Sequence, residues 1–358
     1  MELSRDDTRV LKGIAILLMV LLHLFARKET NGLYEPFAYV NEVPFVYYLA
    51  ILGDACRPIY MFVTGYAFFY ICSRPEGSPL LKNIKRIVKL YINFWVVFFI
   101  FVPLGFLLGS EKVFVWDVKR LLMDFLGLAN NHNGAWWFLQ VYIIFVLVSP
   151  LLITVIKRMP AIVLVFFSGL LFLVCHIQRY HPIISTENNL VKYMLNLSVL
   201  LGTSLLSFVI GACFAKHKVF TRINKATQHL RFKNSIGLAV IVAVIALHSF
   251  IESSAIAPFN GVMLICIFTL MNKSPVIVKT LDYLSKHSTN IWLCHMFFYE
   301  TIFSELVFAA KYPFLIYPWL ILLCIAASYI IRTIASPLQR LVETRPRLAL
   351  FDEKRAGA

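Results

Sequence analysis

The sequence predicts an all-α membrane protein, a polytopic bundle of about ten transmembrane helices with both termini in the cytoplasm. Of its 358 residues, 59% are hydrophobic and only 15% are charged, whereas an average soluble domain is about a quarter charged. Apolar runs long enough to cross the ~30 Å hydrocarbon core recur along the chain, separated by short polar stretches. We therefore treat residues 1–358 as a single integral membrane domain with a short basic cytoplasmic tail from about residue 338.

The predicted spans follow one another closely along the chain. Backbone groups in lipid must be hydrogen-bonded within their own segment, so each apolar run is predicted to be a helix. The eighth run has the least continuous apolar pattern, because Pro258, Asn260 and Gly261 lie near its start. The predicted spans are residues 10–27, 44–72, 88–109, 134–156, 161–177, 193–215, 235–251, 257–271, 289–310 and 313–335.

The basic residues predict the orientation of the chain. With the amino terminus inside, most of the 34 Lys and Arg residues fall in the inner loops and tails, as the positive-inside rule requires. The net charge of +15 comes from membrane-flanking runs such as KNIKRIVK (82–89) and KHKVFTRINK (216–225). Attraction to anionic lipid accounts for such runs, so the lipid bilayer is a predicted partner and nucleic acid is not.

The cysteines give no sign of a metal site or a disulfide framework. There are seven of them, an odd number, and they are scattered within or at the ends of apolar runs. Scattered cysteines of this kind are small core residues in most membrane helices. We therefore expect no metal cofactor.

The first span contains a lysine and a histidine on one helix face. In KGIAILLMVLLH (12–23), Lys12 and His23 are separated by three helical turns, roughly 16 Å along the axis, and fall within about 20° of each other around it. Ionisable side chains inside a membrane face the protein interior or a wet cavity and are functional candidates. The alternative is a lysine that reaches the interface and a hydrogen-bonded structural histidine.

The second span contains Arg57 near its middle, with Asp54 one turn earlier. The two could form a purely structural ion pair. If Arg57 instead faces a cavity without that partner, its fork of donors suits a phosphate or a developing oxyanion.

A second histidine, His295, lies in a later span. It follows the polar stretch 285–290, so we expect it about a turn and a half below the inner surface, with Glu300 further along the same helix. The alternative for His295 is a structural role, in which its side chain hydrogen-bonds neighbouring helices.

Four further residues are weaker candidates. Trp136 and Trp137 follow NNHNG at the outer mouth of the fourth span, where an aromatic anchor is the alternative to a platform for a sugar ring. Tyr66 and Gln140 are polar groups that could face the same interior.

Several of these segments resemble the acyltransferase-3 family, membrane acyltransferases that modify bacterial surface sugars. A basic residue, ten intervening residues and a histidine in the first helix is similar to the family signature, and RPIYMFVTGY (57–66) resembles its second-helix segment, with Thr64 for the usual serine. KRIVKLYINFW (85–95) resembles the basic stretch that opens the third helix, without the proline often found near its end. GAWWFLQVYIIFVLVSPLL (134–152) and STNIWLCHMFF (288–298) are similar to later segments in the same order.

The resemblance implies acyl transfer in the bacterial cytoplasmic membrane, from cytosolic acyl-CoA, by family habit acetyl-CoA, to a hydroxyl of a surface or lipid-linked glycan. Such a reaction needs a base, oxyanion donors and cations for the coenzyme phosphates. We assign these roles to His23, Arg57 and Lys12, with Arg57 also available to the donor. His23 could instead carry the acyl group transiently.

Two other functions remain open at this point. A transporter or glycolipid flippase would also have intramembrane charges and interrupted helices, although such folds usually contain related halves, and none is visible in the sequence. A structural or sensory membrane protein would have little use for Arg57 and His23 at depth. The sequence indicates no particular oligomeric state.

Overall fold

The computed structural model describes residues 2–73, 78–109 and 111–344, and these residues are almost entirely helical. A hairpin of two-residue strands, β1 (Tyr39–Val40) and β2 (Val43–Pro44), lies in the first outer loop. Short 3-10 helices occupy Ile51–Ala55, Gly134–Trp136 and Ser254–Ile256, and a π-helical turn covers Phe297–Thr301. The α-helices are α1 (Arg5–Phe25), α2 (Phe45–Ala50), α3 (Cys56–Ile71), α4 (Pro79–Leu108), α5 (Val118–Phe125), α6 (Trp137–Arg158), α7 (Ala161–Tyr180), α8 (Asn189–His217), α9 (Val219–Thr227), α10 (Lys233–Ile251), α11 (Ala257–Leu270), α12 (Pro275–Met296), α13 (Ser304–Phe308) and α14 (Pro313–Thr344).

The architecture confirms an all-α polytopic bundle. Within the described residues, eight helical segments are long and apolar enough to cross a membrane. The eighth and ninth predicted spans correspond to α11, a shorter apolar helix, and to α12. Helix α12 lies beside α1 in parallel, because Gly13 contacts Leu281 near the start of both helices and His23 contacts His295 near their ends.

The predicted ninth span, 289–310, was wrong at both ends. The helix begins at Pro275, with Ser274 as its N-cap, and its regular part ends at Met296 before the π-helical turn. The polar residues that resembled an inner loop lie inside this helix, and the buried Asn290 and His287 both hydrogen-bond Ser328 of α14. A hydropathy window cannot distinguish polar residues in a helix–helix interface from polar residues in a loop.

Other boundaries also differ from the prediction. Helix α4 begins at Pro79, about two turns before the predicted start at 88. The last helix continues to Thr344, so the expected tail from about residue 338 is still helical there. The second span consists of α2, a 3-10 segment and α3, and Arg57 lies in the first turn of α3.

Close helix contacts hold the centre of the bundle together. A Cβ atom on Gly13 would lie 2.2 Å from the Leu281 carbonyl oxygen of α12, and one on Gly65 would lie 2.0 Å from the Phe208 carbonyl oxygen of α8. Glycine is needed at both positions because only a residue without a side chain lets two helix backbones approach this closely. These contacts fix α1 against α12 and α3 against α8.

Candidate active site

One cavity of about 660 Å³ lies among α1, α3, α4, α6 and α12. Lys12, His23 and Arg57, the three residues to which the sequence assigns chemical roles, all line it. Lys12 and His23 face it from α1, as their shared helix face predicts. Arg57 faces it from the first turn of α3, just after the break in that span.

The cavity has an inner and an outer end, which we define by the start and the end of α1. Exposed side chains of Arg9 and Lys286 line its inner end. Exposed side chains of Arg179 and Tyr180, in the last turn of α7, line its outer end. The cavity therefore extends toward both faces of the bundle, past His23.

His23 is hydrogen-bonded to His295, the other candidate histidine from the sequence. Its Nδ1 lies 2.6 Å from Nε2 of His295, and the two rings are stacked with centroids 4.9 Å apart. The expected depth of His295 near the inner surface was wrong, because the helix that carries it begins earlier than predicted. His295 lies instead near the outer end of α12, at the level of His23.

The hydrogen bonds assign a tautomer to each ring. Nδ1 of His295 lies 2.9 Å from the Trp292 carbonyl oxygen and 3.2 Å from that of Ile291, so this nitrogen carries the proton and donates. Nε2 of neutral His295 then accepts from Nδ1–H of His23. Consequently Nε2 of His23 has a free lone pair, as a general base requires.

Tyr299 covers the histidine pair. Its ring stacks on both imidazoles, with centroids 6.3 Å from His23 and 5.9 Å from His295. Tyr299 is buried, and it lies in the π-helical turn that follows α12. The packing around the two imidazoles therefore depends on α12 and on the π-helical turn that follows it.

Lys12 is half-buried in the lining of the inner half of the cavity. Tyr60 donates a hydrogen bond to the backbone carbonyl of Lys12, at 3.4 Å. No carboxylate in the described part of the chain forms an ion pair with the Lys12 ammonium group. Arg86, which hydrogen-bonds Asn83 at 2.9 Å, adds a second cation to the same lining.

The basic residues of the inner mouth are paired with acids. Arg9 contacts Asp6 at 2.7 Å and Asp282 at 2.8 Å, and Lys286 also contacts Asp282 at 2.7 Å. Lys89 of α4 pairs with Glu343 of α14. Together with Lys12 and Arg86, these residues could hold the phosphates of an anionic cytosolic molecule.

Arg57 does not form the ion pair with Asp54 that was one of its two predicted alternatives. One of its terminal nitrogens donates to the Thr203 hydroxyl at 3.1 Å, and its guanidinium carbon lies 5.9 Å from the centroid of the Trp137 ring. Its remaining N–H groups are available to the cavity. This is the unpaired arrangement that suits an oxyanion or phosphate.

Asp54 also lines the cavity, but its carboxylate contacts a buried histidine and not Arg57. Its Oδ2 lies 3.3 Å from Nε2 of His248, and Nδ1 of that histidine lies 3.1 Å from the Asn260 amide nitrogen. Close by, outside the membrane spans, Lys28 lies 2.5 Å from Glu252. Its hydrogen bond to this carboxylate raises the pKa of Lys28.

The structure does not bring the remaining candidates into the cavity, Trp137 excepted. Tyr66 is buried under the amino terminus, where it bonds Glu2 at 2.7 Å, and Gln140 accepts from Tyr193 at 2.8 Å. Trp136 is buried and donates to the Leu293 carbonyl oxygen at 3.0 Å. Glu300 is exposed. Residue type alone did not indicate which way these side chains face.

Sequence reasoning missed Arg179. Its guanidinium carbon lies 5.5 Å from the centroid of the Trp137 ring, on which Arg57 also lies. A signal was present, because Arg179 is a basic residue in a predicted outer loop, against the positive-inside bias. Among the residues with a described position, no cluster of three or more His, Cys, Asp or Glu suitable for a metal ion is found.

Comparison with known proteins identifies the family of the chain. A profile of the acyltransferase-3 family, described as an acyltransferase domain, matches residues 7–333, which is nearly the whole chain. No curated protein and no solved structure matches this chain. The match includes α1 with Lys12 and His23, α3 with Arg57, and α12 with His295. The chain therefore belongs to the acyltransferase-3 family, and it is a membrane acyltransferase.

Proposed function

We propose that this protein moves an acetyl group from cytosolic acetyl-CoA to a hydroxyl group of a cell-surface or lipid-linked glycan, in the cytoplasmic membrane of a bacterium. The observation that carries the proposal is the position of His23 in the cavity. It lines the same cavity as Lys12, Arg86 and Arg57, and its hydrogen bond to His295 through Nδ1 leaves Nε2 to accept a proton.

In the proposed reaction His23 is the general base. The glycan hydroxyl gives its proton to Nε2 of His23 while its oxygen bonds to the carbonyl carbon of the thioester. The carbonyl oxygen becomes an oxyanion, to which Arg57 donates. The carbon–sulfur bond then breaks, and the departing sulfur takes the proton from Nε2. The products are an O-acetyl ester and the free thiol of CoA, and His23 is neutral again.

The donor enters from the inner half in this scheme. Lys12 contacts the coenzyme phosphates, helped by Arg86 and by the paired cations of the inner mouth. The rise of α1 between Lys12 and His23 is roughly 16 Å, so an extended coenzyme arm carries the thioester past Lys12 toward the imidazole. The acceptor enters from the outer half, where surface glycans complete their assembly.

The test is an acceptor-dependent thiol assay. Wild-type protein in lipid nanodiscs is given acetyl-CoA with glycans extracted from cells that lack it, and both free thiol and glycan O-acetyl groups are measured. Replacement of the base, His23→Ala, should lower kcat by about 10²–10⁴-fold. The matched control is His229→Ala, because His229 is exposed in the loop after α9 and does not line the cavity.

Two results would contradict the proposal. If wild-type protein moved a glycan across the bilayer without ever releasing thiol, it would be a flippase and not a transferase. If His23→Ala kept a near-normal rate while binding acetyl-CoA normally, the assignment of the base would be wrong.

A further inference from the structure

We infer that the acceptor glycan carries an anionic group, a carboxylate or a phosphate, which binds beside Arg179, at the outer end of the cavity, and beside the deeper Arg57. This inference rests on the proposed function and adds the chemical class of the acceptor. Its basis is a pair of arginines that share one tryptophan and that form no ion pair with the described residues.

Both guanidinium groups lie against Trp137. Their central carbons are 5.9 Å and 5.5 Å from the ring centroid for Arg57 and Arg179, respectively. Arg179 also lies over Tyr180, at 5.7 Å. Cation–π contacts of this kind hold a guanidinium group in place without neutralising its charge.

The two positive charges are not balanced by the protein. In the parts of the chain that are described, neither arginine forms an ion pair. Asp54, the acidic residue of this lining, places one carboxylate oxygen on His248, at 3.3 Å. Two neighbouring cations without counterions repel each other, and the repulsion is stronger in a partly dehydrated site than in water. An anion bound between them removes this cost and accepts hydrogen bonds from both forks.

The position of the pair favours the acceptor over the donor as the source of the anion. Arg179 lies in the last turn of α7, at the outer end, and its lining neighbours are Tyr180 and Ser254. The Ser254 hydroxyl donates to the Tyr180 hydroxyl at 2.9 Å, so polar groups suited to sugar hydroxyls lie beside the cations. In the proposed function the coenzyme phosphates have their own cations toward the inner end of the cavity, around Lys12 and Arg86.

The test compares binding of charged and neutral glycan probes to the intact protein in nanodiscs by titration calorimetry. One arm uses an oligosaccharide with glucuronic acid and its counterpart with glucose. The other uses a neutral oligosaccharide on a lipid diphosphate and the same oligosaccharide on an uncharged lipid. Each is measured with wild type, Arg179→Gln, Arg179→Lys and the control Lys192→Gln, an exposed outer residue that does not line the cavity.

We expect wild type to prefer the charged member of at least one pair by about tenfold or more, the size of one or two charge-assisted hydrogen bonds. The arm that shows the preference identifies the source as a sugar carboxylate or a lipid phosphate. Arg179→Gln should abolish the preference, Arg179→Lys should keep part of it, and Lys192→Gln should keep all of it.

Three results would overturn the inference: no charge preference in either arm, a preference that Arg179→Gln leaves intact, or an equal loss of acetyl-CoA binding in Arg179→Gln. The last would assign the arginine pair to the donor phosphates. Binding is measured without turnover, so a failure of acyl transfer would contradict the proposed function and leave this result standing.

Discussion

The basic residues at the inner mouth of the cavity differ from those in its depth. At the mouth, Arg9, Lys89 and Lys286 each contact a carboxylate on their own or a neighbouring helix. In the depth, Lys12 and Arg57 have no ion-pair partner within the described residues. The cations at the mouth are therefore paired within the protein, whereas those in the depth are not paired with any described carboxylate.

This difference indicates which charges act on ligands. An exposed ion pair contributes little, about 0–1 kcal/mol, because water screens it. An unpaired charge at membrane depth is costly and is kept for a function. We therefore expect substitutions in the depth to change catalysis and ligand binding, and substitutions at the mouth to change them much less.

The largest effect should come from His295, the partner of the deep histidine. His295→Ala should lower kcat by about 10²-fold, because His23 then loses the acceptor that fixes its tautomer. His295→Gln should recover part of the rate, since its amide oxygen can accept from Nδ1–H. The measurement is thiol release at saturating acetyl-CoA, with the KM values unchanged. Equal rates for the alanine and glutamine variants would mean that His295 has only a structural role.

The next effect tests the packing that brings the deep residues together. Gly13→Ala should lower the free energy of unfolding by about 1–3 kcal/mol, because the new methyl group overlaps the α12 backbone. Gly169 of α7 is the control, since a Cβ there meets nothing within 4 Å. Gly169→Ala should be neutral or slightly stabilising. Thermal unfolding in detergent measures both, and equal stabilities would show that α1 and α12 can separate freely.

Lys12 provides the direct test of an unpaired deep charge. Lys12→Gln should raise the KM for acetyl-CoA by about tenfold, the loss of one charge-assisted contact to a phosphate. The effect should be absent with a truncated donor that lacks the nucleotide phosphates. A normal KM for the full donor would place the phosphates elsewhere and remove the contrast between depth and mouth.

The smallest effect should come from the mouth. Lys286→Gln should raise the same KM less than about threefold, since Lys286 is exposed and already paired with Asp282. The same initial-rate titration measures it alongside Lys12→Gln. An increase in KM as large as that of Lys12→Gln would show that the residues of the inner mouth bind the donor.

Much of the fold was predictable, because backbone groups in lipid must be hydrogen-bonded and a helix forms these bonds within its own segment. The shared face of Lys12 and His23 also followed from helical geometry alone. The contact between His23 and His295 could not be predicted, because it depends on where α12 begins. The start of α12 was hidden by its polar residues His287 and Asn290, which hydrogen-bond Ser328. The side chains of Tyr66 and Gln140 likewise hydrogen-bond Glu2 and Tyr193, away from the cavity. The amino-acid type does not indicate which side of a helix faces a cavity.

The bond between the two histidines joins residues 272 positions apart in the chain. During synthesis α1 enters the membrane first, and its partner α12 follows only after seven further predicted spans have been made. A nascent or prematurely terminated chain that ends before α12 therefore contains Lys12 and His23 but no base with an assigned tautomer. On the proposed mechanism, such chains should remain inert toward thioesters until α12 has been made.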